Sequence, residues 1–181
     1  MLYGGLMAGI FEEVGRFIIM KFALKKFRRW KDGLAFGIGH GGIEAILLVG
    51  INSIVMLVFA FMINKGIFES LLLNGQTAEA FEPIKDQLTN GSVFLVLLGG
   101  IERISAIAIH LGLSILVLYA IRNRKVLYLI YAILIHALFD FPAALYQAGV
   151  IKNIYIVEAI IAVIGIGSII WTIKSRKLFA E

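Results

Sequence analysis

Five stretches of the chain are apolar for long enough to cross a bilayer, which asks for about 20 residues. They are residues 2–20, 34–63, 93–121, 126–147 and 153–173. The second and third exceed the minimum, which predicts strong tilt or helix running past the hydrocarbon. Between them lies one sizeable polar region, NKGIFESLLLNGQTAEAFEPIKDQLTNG at 64–91, in which ESLLLNG and AFEPIKDQL read as short interfacial helices or a lid. No repeat of fixed period interrupts this pattern. The expected fold is an all-α polytopic membrane helix bundle of about five transmembrane helices, forming a single integral membrane domain over 1–181.

Composition agrees with the pattern. The chain is 60% hydrophobic and 16% charged, against about 25% charged in an ordinary soluble domain. There is no cysteine, so disulfides, a thiol nucleophile and thiolate metal ligands are excluded. Glu12, Glu13 and Arg16 inside the first apolar run argue against a removable signal peptide. The net charge of +5 does not point to nucleic acid, because the basic residues cluster between apolar segments. KFALKKFRRWKD at 21–32 holds six basic groups and one acid, and RNRK at 122–125 and KSRK at 174–177 hold three basic groups each. Residues 65–86 hold four acids against two lysines. Basic and non-basic connections alternate over five crossings, which predicts an N-terminus outside and a C-terminus in the cytoplasm; the expected location is the prokaryotic plasma membrane.

Against this background the embedded polar residues stand out, because charged groups in hydrocarbon are costly and mark sites or pairs. GIFEEVGRF carries Glu12, Glu13 and Arg16; FGIGHGGIEA carries His40 and Glu44; GGIERISAIAIHLG carries Glu102, Arg103 and His110; ILIHALFDF carries His136 and Asp140. Glu12 and Arg16, His40 and Glu44, and His136 and Asp140 are each four apart, so each pair shares a helix face. Arg103 and His110, seven apart, share one as well. Counted at about 1.5 Å per residue from the basic loops, Glu12, Glu13, His40, Glu44, His110 and His136 fall into one slab. Bland readings exist for several of them. Glu12 with Arg16 can be a neutralised intrahelical pair, Glu102 with Arg103 a clamp between helices, Asp140 an orienting group for His136, and Glu158 an interfacial residue. The glycines at 37, 39, 41 and 42 serve either close helix packing or room for a substrate backbone.

The chemistry open to such a set is water activation. Neither Ser105 nor Ser114 sits in a nucleophile-elbow context. A glutamate as general base, a histidine to orient water or hold a metal, and further groups to stabilise an oxyanion would suffice. His40, His110, His136 and a glutamate also satisfy tetrahedral Zn2+ with one open position, although no HExxH is present.

At these residues the sequence resembles a family. FEEVGR, FGIGH and HALFD are similar to the three signatures of the CPBP intramembrane proteases, the group containing type II CAAX prenyl endopeptidases and bacteriocin-processing or immunity proteins. AGIFEEVGRF, GIGHGGIEA, ERISAIAIHLGLS and LIHALFDF, in this order, resemble the YhfC branch of intramembrane metalloproteases, over residues 4 to about 145. The resemblance implies an intramembrane endopeptidase in which Glu12 and His40 polarise the attacking water and His136 and Asp140 form the oxyanion side. The candidate catalytic set is thus Glu12, Glu13, His40, His136 and Asp140, supported by Arg16, Glu44 and Arg103. His40, His110, His136 and Glu44 are the candidate metal ligands, with a metal-free mechanism left open. Two features depart from the pattern: Arg16 follows the glutamates after two residues rather than three, and relatives usually carry further hydrophobic helices ahead of the first catalytic one. An exposed flank would then need a second copy or a partner membrane protein. Membrane lipid and a peptide or membrane-protein substrate are the other expected partners. The rival readings are a small carrier or channel that binds ions or protons on the same groups, and a silent accessory or immunity protein.

Overall fold

The computed structural model describes residues 2–68 and 75–179, and every regular element in them is helical. α1 runs from Leu2 to Ile18 and widens into π-helical turns at Ile19–Ala23. α2 spans Trp30–Glu44 and passes through a second π-helical stretch, Ala45–Gly50, into α3, Ile51–Asn64. α4 (Gly75–Asn90), α5 (Val93–Arg122), α6 (Leu127–Gln147) and α7 (Ile154–Ser175) follow, and a 3-10 turn closes the chain at Arg176–Phe179.

Among the described residues four helices are long and apolar enough to cross a membrane: Trp30–Asn64, Val93–Arg122, Leu127–Gln147 and Ile154–Phe179. The protein is an all-α polytopic integral membrane bundle with these four clear spans. The fifth expected crossing, α1, is not among them. It is 17 residues long and holds three ionisable groups, Glu12, Glu13 and Arg16, so its apolar stretch is too interrupted to count. AFEPIKDQL lies within α4 as a helix, with Pro83 inside it. ESLLLNG falls almost wholly outside the described residues.

The chain divides into two compact units. The first comprises 1–42 and 101–181, and its core is the second half of α5. Ala106, Ile109, Leu113, Ile115, Leu116, Val117, Leu118 and Ala120 are all buried there, joined by Leu129, Ala132 and Phe139 of α6 and Val157 and Ile161 of α7. A helix apolar on every side belongs at the centre of a bundle, and this part of α5 takes that place. Small residues let the neighbours approach it. A Cβ added at Gly37 of α2 would stand 2.7 Å from the Leu111 Cα of α5, and one added at Gly165 of α7 would stand 2.9 Å from the Ser105 Cβ. Backbones in contact through glycine are the ordinary means of helix association in lipid. α1 meets α6 in the same way, with a Cβ at Gly9 falling 2.8 Å from the Ile133 carbonyl oxygen.

The helix ends of this unit follow capping chemistry. α6 closes with Gly149 in the left-handed region (φ 71°), where Val150 N–H reaches the Leu145 carbonyl and Gly149 N–H the Tyr146 carbonyl. α5 closes with the same pair of bonds, from Lys125 to Ala120 and Arg124 to Ile121, but with Arg124 in the left-handed position. Asn153 caps α7 by accepting the Tyr155 N–H at 2.9 Å. Arg28 caps the end of α1, donating to the carbonyls of Met20, Leu24, Phe27 and Lys21.

The second unit, residues 43–100, is built differently. α3 buries none of its residues, and Ile51, Ile54, Leu57, Val58 and Phe61 are all exposed. In a membrane such a surface faces lipid. Among the described residues Phe59, Phe68 and Phe81 meet edge to face with ring centroids 5.4–6.0 Å apart.

Candidate active site

On α1 the buried positions are Gly5, Gly9, Glu13, Arg16 and Met20. These steps of three and four residues trace one helix face, so Glu13 and Arg16 point into the bundle. Glu12, one residue earlier and about 100° away, stands at the edge of that face. α2 repeats the arrangement: Gly33, Gly37 and Gly41 form its buried stripe, and His40 stands beside it. His110 lies in the buried half of α5, and His136 on the face of α6 that also buries Leu129, Ala132 and Phe139.

The two levels carry different bonds. At the deeper one Glu13 accepts from Arg16 Nη1 at 3.0 Å and from His136 Nδ1 at 2.7 Å, while Arg16 Nη2 donates to His110 Nδ1 at 2.9 Å. All four side chains are almost wholly buried. Donor and acceptor types then fix the rings. A carboxylate only accepts, so His136 carries its proton on Nδ1 and a neutral ring presents the Nε2 lone pair. A guanidinium only donates, so His110 accepts at Nδ1 and a neutral ring carries its proton on Nε2. At the shallower level Glu12 Oε2 stands 3.0 Å from His40 Nε2, with side chains 33% and 27% exposed. His136 Nε2 lies between the levels, 3.8 Å from Glu12 Oε2 and 3.7 Å from Asp140 Oδ2. The rings of His40 and His110 are 4.8 Å apart and those of His110 and His136 5.6 Å.

Glu12, Glu13, His40, His110 and His136 are therefore brought together, as their shared depth predicts, and Arg16 and Asp140 join them. One expected pairing changes. Arg16 pairs with Glu13, three residues away, rather than standing as the partner of Glu12. Arg103 pairs with its neighbour Glu102 and stands about 10 Å along α5 from His110. Glu44, the last residue of α2, follows His40 by one turn. Sequence reasoning assigned no role to Phe36, whose ring stacks on His40 at 6.2 Å; the signal was the i,i+4 spacing within FGIGH. The glycines divide into packed and open positions. Gly37 and Gly41 touch α5, whereas a Cβ at Gly39 or Gly42 would meet nothing within 4 Å.

Three carboxylates, Glu12, Glu13 and Asp140, and one guanidinium lie in this cluster, so a cation placed among them would be favoured. The donor set fits an ion: Glu12, His40 and His110 each offer a nitrogen or oxygen within 4.8 Å of the others, the chemistry that zinc and its neighbours prefer. His110 can ligate only by giving up the Arg16 bond, since a neutral ring has one lone pair and Arg16 holds it.

Residues 1–161 match the family described as YhfC intramembrane metalloprotease. The chain is also similar to an uncharacterized membrane protein, YhfC, of Bacillus subtilis strain 168, at 54% identity over 178 residues that cover 98% of this chain and 69% of the relative. No solved structure matches. Four motifs on separate helices converge on one Glu/His cluster, and with a match of this extent the chain belongs to the YhfC family of CPBP-type intramembrane metalloproteases.

Proposed function

We propose that the protein is an intramembrane endopeptidase that hydrolyses a peptide bond of a peptide or membrane-protein substrate with water activated by Glu12 and His40. The observation that carries this reading is the Glu12–His40 contact at 3.0 Å, partly open to solvent, above a buried ion-paired floor. A general base needs access to water and substrate, and the partial exposure of this pair provides it. Glu12 takes the proton of a water that His40 aligns, and the hydroxide oxygen bonds to the scissile carbonyl carbon. Glu13 holds His136 by Nδ1, so its Nε2 lone pair faces Glu12 and Asp140; it takes the proton from Glu12 and gives it to the amine nitrogen as the C–N bond breaks and the carbonyl re-forms. The His110 N–H at Nε2 is a donor for the oxyanion. Gly39 and Gly42, beside His40 and free of neighbours, leave room for a substrate backbone. In an alternative, metal-assisted form, a divalent ion held by Glu12, His40 and, once released from Arg16, His110 would supply Lewis-acid polarisation of water and carbonyl, with Glu12 then a ligand instead of the base. The basic connections at 21–32, 122–125 and 174–177 place the C-terminus in the cytoplasm in this reading; labelling of a cysteine introduced after Lys125 from the opposite side would reverse it.

The test is cleavage of membrane-embedded or prenylated peptides by purified protein in detergent. Glu12→Gln keeps size and hydrogen bonding but removes the base, and turnover should fall by about 10² or more. Full cleavage by folded Glu12→Gln would remove the mechanism, and loss of ion flux in the same variant would transfer the site to a carrier. Elemental analysis addresses the metal separately: under roughly a tenth of an equivalent, with activity intact in chelator, leaves the metal-free form.

A further inference from the structure

The end of the first unit that carries the basic turns holds an open cavity of about 700 Å³, walled by Trp30, Ile173 and Phe179 and rimmed by Arg29, Lys31, Arg176 and Lys177. Asp32 neutralises one of these cations. It accepts from Arg29 Nε and Nη2 and from the Arg29 backbone N–H, at 2.8–3.2 Å. Lys31, Arg176 and Lys177 form no ion pair within 4 Å among the described residues, and Lys31 shares the field of Asp32 with Arg29, so like charges still converge on one concavity. Such a grouping is repulsive in the absence of an anion.

The remaining walls narrow the class of anion. Trp30 is pinned by its Nε1–H to the Thr172 carbonyl and Ser175 Oγ, and the Arg176 guanidinium lies over its ring at 5.8 Å. Trp30 and Lys31 open α2, so the positive end of that helix dipole faces the same space. Ile173 is 65% exposed on the outer surface of α7 and runs toward the apolar span. A cationic rim above a tryptophan and an aliphatic wall suits a phosphate that continues into an acyl chain. Topology alone explains basic residues at this end, but not their position: Lys25, Lys26 and Lys125 share the end without lining the cavity.

We propose that this cavity binds the phosphate of an anionic phospholipid, with Lys31, Arg176 and Lys177 holding the headgroup and an acyl chain lying along Trp30 and Ile173. The proposal is independent of the hydrolytic reading, since the cavity shares no residue with the Glu12 site.

The two tryptophans make the test direct. In a Trp171→Phe background Trp30 is the sole tryptophan, and its fluorescence is followed in detergent during titration with short-chain phosphatidylglycerol, short-chain phosphatidylcholine or inorganic phosphate. A saturable change with phosphatidylglycerol is expected. Its half-saturation should rise on the order of tenfold or more in Lys31→Gln/Arg176→Gln/Lys177→Gln, and much less in Lys25→Gln/Lys26→Gln/Lys125→Gln, which removes the same charge elsewhere. Lys31→Gln alone, at an exposed position, serves if the triple variant does not fold. An equal response to phosphatidylcholine, equal losses in the two triple variants, or no saturable change overturns the site. Saturation by inorganic phosphate at the same concentration as lipid overturns the lipid as occupant.

Discussion

Glu12 and Glu13 are adjacent in the chain and live in different solvents. Glu13 is fully buried, its two oxygens taken by Arg16 and His136, whereas Glu12 is one-third exposed and touches His40. The difference follows from a 100° step around α1: one residue lies on the face that carries Gly5 and Gly9, the next at its margin. It teaches how a short helix divides labour between two identical side chains. The inner carboxylate fixes the rings of His136 and, through Arg16, of His110; the outer one remains free to exchange a proton.

The sharpest break of that contrast is at Arg16. Arg16→Met leaves a buried carboxylate without its cation and should destabilise the protein by about 3–5 kcal/mol, read as a lower melting temperature in detergent, while Glu13→Leu/Arg16→Met should regain most of the loss. Unchanged melting of Arg16→Met would mean that the inner level is no floor at all. Next in size, Glu12→Gln and His40→Ala should lower turnover by about 10² or more with melting preserved, and Glu13→Gln should lower both. Equal melting losses at 12 and 13 would erase the distinction. A third comparison lies on α2. Gly37→Ala should cost about 1–3 kcal/mol because its Cβ meets backbone, whereas Gly39→Ala, facing open space, should be neutral or stabilising by up to about 1 kcal/mol. The smallest effect is expected at Asp140→Asn. The amide keeps a contact to His136 but loses the charge, so cleavage should fall severalfold, by less than for Glu12→Gln; a loss as large as that of Glu12→Gln would place Asp140 in the proton path.

Much of this was legible in the sequence, because each embedded polar group stood alone in hydrocarbon and its depth could be counted from basic loops. That count alone brings His40, His110 and His136 to one level. The partners were less legible. Spacings of three and four residues both put a cation on the same helix face, so Arg16 suited Glu12 as well as Glu13, and only the position of His136 on α6 and His110 on α5 decides between them. Arg103 shared a face with His110 by spacing, but two helical turns separate them and Glu102 is nearer. α1 read as a span because its ends are apolar, while the three charges at its middle keep it out of the four clear spans and bring Glu12, Glu13 and Arg16 to the cluster. No local pattern announced the cationic cavity, since its rim joins the start of α2 to the turn after α7, 145 residues later.

The stripe of Gly33, Gly37 and Gly41 has a mechanical consequence. Sliding α2 along α5 by one residue, about 1.5 Å, would carry a side chain toward a place where even a methyl group falls 2.7 Å from backbone. At Gly37 the two helices are keyed like a notched rail by main-chain contact, which indexes the imidazole of His40 against His110, while Gly33 and Gly41 also meet the side chains of Ile115, Leu118 and His110. Changes in bilayer thickness readily alter the tilt of an apolar helix, yet at this joint they meet a stop. The registration of the reacting groups is thereby insulated from the composition of the membrane around them.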